Sequence, residues 1–251
     1  IPDYDLRLSS ATLTDNSLVQ FSRIPISQIN NPYQVAVEIT NEGTYQHSNI
    51  FLNVDYGDFN TSTSCSDVLP GTFETEYSPI NLPSNVGLYE GVYAITSDQE
   101  NSASLTYSNN ELYRNIEITD EMYSIDGIGI HPLNTEITNT TYWGNYYYGN
   151  YYKINQTEIL NSVQVAIGAL SEEGAEVHVA IVDSIDAIND NFNSIYTTAN
   201  YTITSSDINS GIINIPAYFE LGTGSYYVFV CSINESQFGM VDDATVIQPP
   251  M

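Results

Sequence analysis

The chain has 251 residues, 42% of them hydrophobic, and carries 31 Asp and Glu against only 4 Lys and Arg, which gives a formal net charge of −27 at pH 7. Such a surface repels phosphate backbones and anionic lipid heads, because affinity for nucleic acid comes largely from Lys and Arg that displace counterions. We therefore exclude nucleic acid as a partner, and we expect no direct membrane insertion, since no apolar run approaches the roughly 18 residues of a membrane helix.

Length and charge also limit the number of domains and indicate the ionic environment of the protein. A chain of this length suits one large or two ordinary domains, given a usual size of roughly 100 to 150 residues each. Its self-repulsion calls for screening by a salty exterior or by bound divalent cations. The chain begins at Ile1 without a charged and apolar leader, so we expect any export signal to lie outside it or to have been removed.

Residues 1–125 are predicted to form short β-strands separated by turns. Apolar residues alternate with other residues over 35–40 and again over 50–54, which is the period-two pattern of half-buried strands. A long polar connection is expected through 62–66, and further alternating runs occupy 91–97 and 113–119. Short strands at this spacing indicate an antiparallel sandwich.

The segment NIEITDEMYSIDG at 115–127 carries a resemblance, together with 23–28, 35–43 and 108–111. These segments resemble the adhesion-related immunoglobulin-like modules of large secreted Bacteroidota proteins that leave through the type IX secretion system. The resemblance implies an exported protein with a secreted or cell-surface location. A type IX sorting domain normally closes such proteins, and none is recognisable before Met251, so we expect this chain to be an internal piece of a longer one.

Residues 126–251 repeat the strand pattern. The alternating runs at 163–167 and 177–181 are predicted to pair as two antiparallel strands. Later runs occupy 201–204, 212–217 and 226–231, and the last is apolar on both faces, as expected of a central strand.

The segments 149–152, 159–167, 174–183, 201–207 and 221–228 resemble the jelly-roll accessory domains of the same secreted proteins. The resemblance implies a jelly-roll fold for the second half of the chain.

The predicted fold class is therefore all-β, with two tandem antiparallel β-sandwich domains. The first, over 1–125, is immunoglobulin-like, and the second, over 126–251, is jelly-roll-like. We expect no helix beyond a single turn within 184–192. Cys65 and Cys231 fall in different domains, so we expect two free thiols, with Cys231 buried.

The stretch 142–152 holds the only Trp and six of the 21 tyrosines. In sugar-binding modules Trp and Tyr rings stack on the apolar faces of pyranoses, and the glycines and asparagines that interrupt this stretch favour an exposed loop. The candidate ligand-binding platform comprises Tyr142, Trp143, Tyr146, Tyr147 and Tyr148. The alternative is a strand whose alternate rings point inward as ordinary core.

A second candidate site lies in the acidic segment that begins at 183. Asp183, Asp186, Asn189 and Asp190 offer several oxygen ligands for calcium, which prefers six to eight oxygens in a flexible arrangement. The alternative is a solvated loop. The Bacteroidota resemblance implies a third interpretation, because Asp-Ser followed by an aliphatic residue matches the O-glycosylation acceptor pattern and would place a glycan on Ser184.

Catalytic motifs are missing from the sequence. There is no zinc-protease HExxH, no G-x-S-x-G elbow, no P-loop and no dinucleotide fingerprint. A carboxylate pair for glycoside hydrolysis is defined by a separation in space that sequence does not show. We expect a non-catalytic adhesion or binding module that contacts a glycan or a cell-surface partner. The alternatives are a structural segment of a stalk or filament and an accessory region of a secreted hydrolase.

Overall fold

The computed structural model describes residues 2–14, 21–100, 107–125, 135–138, 146–183, 193–233 and 236–242. It divides into two compact units, one drawn from Ile1–Gly129 (unit 1) and the other from Ile130–Thr245 (unit 2). Residues 126–134 lie outside the described residues, so the predicted boundary between 125 and 126 stays a prediction.

Unit 1 contains eight strands among its described residues. They are β1 (Leu6–Thr14), β2 (Arg23–Pro25), β3 (Tyr33–Asn41), β4 (Phe51–Tyr56), β5 (Phe59–Ser64), β6 (Phe73–Ile80), β7 (Gly87–Thr96) and β8 (Glu111–Thr119). Single 3₁₀ turns occupy Ile26–Gln28 and Tyr107–Asn109.

The strands of unit 1 form two sheets in the orders β1-β3-β6 and β2-β8-β7-β4-β5. All neighbours are antiparallel except β2, which runs parallel to β8. With the strands lettered A, A′, B, C, C′, E, F and G in chain order, the sheets are A-B-E and A′-G-F-C-C′. This is an immunoglobulin-like arrangement.

Alternating burial holds the two sheets of unit 1 together. In β3 the side chains of Tyr33, Val35, Val37 and Ile39 are buried, and the residues between them are half-exposed. One hydrophobic core includes these residues and the buried side chains of β4, β7 and β8 in the other sheet. The period-two prediction for these strands is confirmed, and the sheets pack face to face.

The predicted polar connection through 62–66 is wrong over most of its length. Residues Phe59–Ser64 form β5, which pairs in register with β4. Apolar alternation failed to identify this strand because β5 stands at the edge of its sheet, where Ser and Thr satisfy the pairing without burial. Strand β5 lies beside β6, the edge strand of the other sheet. The hydroxyl oxygens of Thr63 in β5 and Ser78 in β6 are 2.6 Å apart.

Two buried tyrosines lie at the centre of unit 1 and depend on a glycine beside them. The Tyr56 and Tyr93 hydroxyl oxygens are 2.6 Å apart, and their rings meet edge to face. A Cβ atom on Gly91 would lie 2.3 Å from Cε1 of Tyr56 and 2.4 Å from the Arg114 carbonyl oxygen. Only a residue without a side chain therefore fits this position of β7.

One buried histidine of unit 1 is held among acidic groups. His47 is fully buried, and its Nδ1 lies 3.0 Å from the Ser97 hydroxyl. Burial lowers the pKa of His47, while the carboxylates of Glu100 and Asp5 act in the opposite direction. The folded state therefore favours a neutral imidazole at this position.

Unit 2 contains nine strands among its described residues. They are β9 (Thr135–Thr138), β10 (Tyr146–Ile154), β11 (Glu158–Ala166), β12 (Glu176–Asp183), β13 (Ser194–Thr197), β14 (Tyr201–Thr202), β15 (Ile212–Leu221), β16 (Gly224–Ser232) and β17 (Gly239–Asp242). Between β14 and β15 lies a short helix, α1 (Ser205–Ser210).

The strands of unit 2 lie in two layers. One sheet has the order β10-β16-β12-β13, with β14 also paired to β12. In the other layer β9 pairs with β17 and β11 with β15, and an antiparallel bridge between Ile167 and Met240 joins the two pairs. When the short β14 is left out, the remaining eight strands of unit 2 can be numbered 1 to 8 in chain order. The layer that contains β9 then has the order 1-8-3-6, and the layer that contains β10 has the order 2-7-4-5. This is jelly-roll topology, and the predicted all-β class with tandem antiparallel sandwiches is confirmed.

The predicted pairing of the runs at 163–167 and 177–181 is wrong. The first run lies in β11, which pairs with β15, and the second lies in β12, which pairs with β16. In this jelly roll β11 and β12 lie in different layers, so two alternating runs that are neighbours in the sequence need not form a hairpin.

The sequence analysis did not predict the helix α1. The Thr204 hydroxyl accepts a hydrogen bond from the Asp207 backbone N–H, and the Asp207 carboxylate accepts one from the Thr204 N–H, which together form a capping box. Gly211 ends the helix in the left-handed conformation. Within the described residues, no helix is both long and apolar enough to cross a membrane.

Replacing Gly91 with Ala is expected to destabilise the protein by about 1–3 kcal/mol, because the new methyl group overpacks the Tyr56 ring and the neighbouring backbone. The matched control is Gly87→Ala in the same strand, where the nearest atom is a Tyr89 ring carbon at 3.6 Å. Denaturant unfolding of both variants measures the difference. Equal stabilities would contradict the close approach at Gly91.

Replacing His47 with Gln is expected to flatten the loss of stability as the pH falls below about 6.5. The folded-state pKa of His47 is below the ordinary value of 6.5, so the neutral ring stabilises the fold above that pH, and this contribution is lost as the pH falls through the folded-state pKa. Denaturant unfolding at several pH values measures the slope. Ser97→Ala is the control, since it removes the hydrogen-bond partner of His47 but leaves the titrating ring. A His47→Gln variant with the wild-type slope would contradict the assignment.

Candidate functional site

The aromatic stretch of the sequence enters strand β10 as an alternating row of tyrosines. Tyr147 and Tyr148 are consecutive residues of β10, so their side chains point to opposite faces of the sheet. Tyr142 and Trp143 lie outside the described residues, and Tyr146 is described only in its backbone, opposite Ser232 of β16. The structure thus separates Tyr147 from Tyr148, and the rest of the predicted platform stays a prediction.

Pairing with β16 gives Tyr147 new aromatic neighbours. In the register of β10 and β16, Tyr147 stands opposite Cys231, Gly149 opposite Phe229 and Tyr151 opposite Tyr227. Directly opposed residues share a face in an antiparallel pair. Four aromatic side chains therefore lie on one face of this sheet. We call this set the aromatic face, and it comprises Tyr147, Tyr151, Tyr227 and Phe229.

The four rings of the aromatic face contact one another in sequence. The Tyr147 and Phe229 ring centroids are 6.0 Å apart in an edge-to-face arrangement. Phe229 and Tyr227 stack with their centroids 5.7 Å apart and an interplanar angle of only 11°. Tyr227 and Tyr151 meet at 5.1 Å. The result is a continuous row with two nearly parallel rings at its centre.

Gly149 makes room for this row. A Cβ atom at Gly149 would lie 2.4 Å from Cδ1 of Phe229 and 2.9 Å from its Cε1. The Phe229 ring therefore lies over the backbone of β10 at a position that no other residue could occupy without displacing it. The same glycine that interrupts the tyrosine run in the sequence serves the packing of a ring from another strand.

On the other side of β16, the aromatic face borders small buried residues of β12. Ala180 stands opposite Phe229 and Val182 opposite Tyr227, and both are buried. The aromatic rings are partly exposed, and Tyr147 is the most open, at 48%. Strands on both sides thus hold the rings in place while part of their surface reaches solvent.

The opposite face of this sheet belongs to the core of unit 2. Val177, Val179 and Ile181 of β12 and Val230 of β16 alternate with the residues just described, and all four are buried. Tyr196, opposite Ile181, stacks on Phe219 of β15 in the other layer at a centroid distance of 4.5 Å. The aromatic face is therefore the outward face of its sheet.

The charges on the aromatic face differ from those of the whole chain. Lys153 follows Tyr151 on the same face and stands opposite Ser225. No Asp or Glu occupies the outward positions from 147 to 153 of β10, from 225 to 231 of β16 or from 178 to 182 of β12. The next outward residue of β12 is Glu176, beyond His178, at the end of the face far from Lys153.

Of the four residues of the aromatic face, the predicted platform included only Tyr147. Tyr151 belongs to the tyrosine-rich stretch but was not part of the predicted platform, and Tyr227 and Phe229 were predicted only as parts of a central strand. The available signal was the alternation of aromatic residues at 227 and 229, with Gly149 and Tyr151 as possible partners. Choosing between partners required the register, which the sequence does not state.

The predicted calcium segment is described only at its first residue. Asp183 is the last residue of β12, is half-buried and stands opposite Tyr226. Ser184, Asp186, Asn189 and Asp190 lie outside the described residues. Across the described part of the chain, no group of three or more His, Cys, Asp or Glu side chains could hold a metal ion. Calcium binding and glycosylation at Ser184 stay predictions.

The two thiols are free, as the sequence predicted. Cys65 is half-buried and Cys231 is buried beside the aromatic face, opposite Tyr147. Burial raises the pKa of Cys65 to about 11 and that of Cys231 to about 12. Both thiols are therefore protonated at neutral pH, the unreactive form of the side chain.

Comparison with known proteins found similar chains among solved structures only. No family model matches it, and no curated protein matches it. Among solved structures it is similar to a crystal structure of the CARDB domain of a Pyrococcus furiosus protein in complex with di-metal ions, at 13% identity and a TM-score of 0.33, covering 46% of this chain and 89% of that one. It is also similar to a solution NMR structure of the same CARDB domain, at 13% identity and a TM-score of 0.35, covering 48% of this chain and all of that one. Both scores are too low for anything about function to follow from them.

Proposed function

We propose that the chain is a non-catalytic binding module that contacts a glycan through the aromatic face of unit 2. The observation that carries the proposal is the row of rings at Tyr147, Phe229, Tyr227 and Tyr151, which lies on the outward face of a sheet. Unit 1 supports the module as a rigid sandwich in an exported adhesion-type protein.

The geometry of the row fits a sugar better than a globular apolar ligand. A pyranose ring has a flat face of C–H groups, which packs on the negative face of an aromatic ring by dispersion and quadrupole attraction. Tyr227 and Phe229 are nearly parallel and stack on each other, so a sugar would pack against the parts of the row that remain exposed, most of all the Tyr147 ring.

The acidic composition supports an extracellular location. A net charge of −27 keeps the protein soluble and separate from nucleic acid and anionic membranes, and a salty exterior screens its self-repulsion. The fixed position of the rings supports binding by contact, since a ligand meets a surface whose side chains are already ordered. The secreted or cell-surface location and the origin in a longer adhesin are parts of this proposal.

Replacing Tyr147 with Ala is expected to weaken glycan binding about fivefold, since one ring contact is worth about 1 kcal/mol. Tyr147 is 48% exposed, so its removal leaves the core intact. The measurement is retention on a polysaccharide array followed by titration against the best ligand. The matched control is Tyr113→Ala, which removes a 72% exposed tyrosine from β8 of unit 1.

Tyr113→Ala should bind as the wild type does. If the wild-type chain retains no glycan on the array, the proposal is overturned in favour of a structural stalk segment. Equal weakening by both substitutions would also contradict it, because the effect would then not belong to the aromatic face.

A further inference from the structure

Unit 1 contains a cluster of buried polar side chains that plays no part in the proposed glycan contact. Its members come from the start of β1, from the segments that follow β3 and β7, and from the turn before β8. Two of them are carboxyl groups, each only 6% exposed. Removing an ionised carboxylate from water is costly unless the fold compensates for it. We call this set the polar cluster, and it comprises Asp5, His47, Glu100, Asn109 and Asn110.

Hydrogen bonds hold the polar cluster together. The Leu6 backbone N–H donates to Oε2 of Glu100 at 2.9 Å, and Nδ2 of Asn110 donates to the same oxygen at 3.2 Å. Nδ2 of Asn109 donates to Oδ1 of Asp5 at 3.2 Å. Because Asp5 and Leu6 are consecutive, and Asn109 and Asn110 are also consecutive, these bonds join the three segments in a closed ring. Both carboxyl groups therefore lie in one small region.

The donors in this ring are neutral groups, and basic side chains are scarce. Arg7, two residues after Asp5, pairs with Glu42 at 3.0 Å, and Arg23 pairs with Glu117 at 2.8 Å. The whole chain has only four Lys and Arg. Two negative charges that are buried close together repel each other strongly, because the interior screens them less than water does. An added cation would be stabilised by both charges.

The polar cluster also contains buried atoms that lack a hydrogen-bond partner. Among the described residues these atoms include Oδ1 of Asn109, Oδ1 of Asn110 and Nε2 of His47. The side chains of Asn110 and His47 are almost fully buried, at 1% and 0% exposed. Buried polar groups are nearly always satisfied in folded proteins, so each such atom indicates a missing partner. Both amide oxygens can only accept, and they belong to the same side chains that hold the two carboxylates.

His47 adds a third acceptor to the polar cluster. Glu100 and Asp5 both act to raise the pKa of His47, so its ring lies near both carboxylates, although burial has the larger, opposite effect. A neutral imidazole carries one proton. With that proton on Nδ1, which lies 3.0 Å from the Ser97 hydroxyl, Nε2 is an acceptor. The polar cluster thus has an excess of acceptors, which a hydrated cation would satisfy.

The ligand set selects the class of cation. Within the described ranges no group of three or more His, Cys, Asp or Glu side chains could hold a metal ion, which argues against a transition metal. Two carboxylates and two amide oxygens are instead the mixed oxygen set that Ca²⁺ uses, with water completing six to eight ligands. Mg²⁺ demands a stricter octahedron and gives up its waters reluctantly. Nε2 of His47 would accept a hydrogen bond from a water on the ion.

We propose that unit 1 binds one Ca²⁺ ion in the polar cluster, with oxygens of Asp5, Glu100, Asn109 and Asn110 as ligands. The ion joins the start of β1 to the segment after β7 and to the turn before β8, and it stabilises the sandwich against its own negative charge. Two carboxylates give a modest affinity, with a Kd of about 0.1–1 mM, the range of extracellular calcium modules. This site is separate from the calcium segment predicted at 183–190.

The test compares the stability of the full chain with and without the ion. The protein is treated with a chelator and then unfolded by denaturant in CaCl₂, MgCl₂ or NaCl at equal ionic strength. CaCl₂ should raise the unfolding midpoint in a saturable way, because the ion binds the folded state only. MgCl₂ should have a smaller effect and NaCl none beyond screening. Isothermal titration calorimetry with CaCl₂ gives the affinity.

Three variants assign the effect to the polar cluster. Glu100→Gln should weaken Ca²⁺ binding about tenfold, since affinity follows the number of charged ligands. Asn110→Asp adds a third carboxylate, so it should be less stable than the wild type in chelator and should regain the difference in CaCl₂. The control is the double variant Asp186→Asn, Asp190→Asn in the other predicted calcium segment, which should keep the wild-type response of the unfolding midpoint.

The possible results separate a calcium site from a cluster that holds only ordered water. An unfolding midpoint that CaCl₂ leaves unchanged overturns the proposal, and so does a response that Glu100→Gln retains in full or that the double variant loses. An equal response to MgCl₂ overturns the choice of calcium. If Glu100→Gln does not fold, Asn110→Asp decides, because a loss of stability that is the same in chelator and in CaCl₂ also contradicts the site.

Discussion

The antiparallel register between β10 and β16 is the constraint on which the candidate site depends. It places Gly149 opposite Phe229 and Tyr151 opposite Tyr227, so that residues almost eighty positions apart in the chain share one face. A slip of one residue would send the tyrosines of β10 to the other side of the sheet. The close approach of the Phe229 ring to Gly149 opposes such a slip, because no other residue of β10 leaves space for a ring there.

In unit 1, too, a glycine makes room for an aromatic ring, but the ring is buried. Gly91 makes room for the Tyr56 ring inside the sandwich, whereas Gly149 makes room for a ring on the outside of its sheet. In unit 1 the tyrosine pair is buried and its two hydroxyls share one hydrogen bond, so the pair belongs to the core and is not accessible to a ligand. An aromatic side chain can contact a ligand only if it is exposed. Its exposure depends on which face of the sheet the side chain lies on.

In the proposed function, charge and aromatic surface have separate parts. The acidic exterior opposes self-association and contact with polyanions, and the described outward positions of β10 and β16 carry no Asp or Glu. Dispersion contacts are insensitive to salt, so the proposed binding by ring stacking is expected to depend little on ionic strength.

The sequence by itself determined the all-β class, most strands with a buried face and the acidic composition. These follow from local properties: alternation such as that of Val35, Val37 and Ile39 reports burial on one face, and composition reports charge. The sequence did not predict the polar edge strand β5, because none of its side chains is buried. It did not predict α1, because a helix of six residues is too short to show a helical hydrophobic period.

Only the tertiary structure decided which strands are neighbours. It placed β11 and β12 in different layers, separated Tyr147 from Tyr148, and brought Tyr227 and Phe229 beside Gly149 and Tyr151. The physical reason is that strand pairing is a long-range choice made by packing of the whole sandwich, and period-two patterning tells which face of a strand is buried without telling which strand lies next to it.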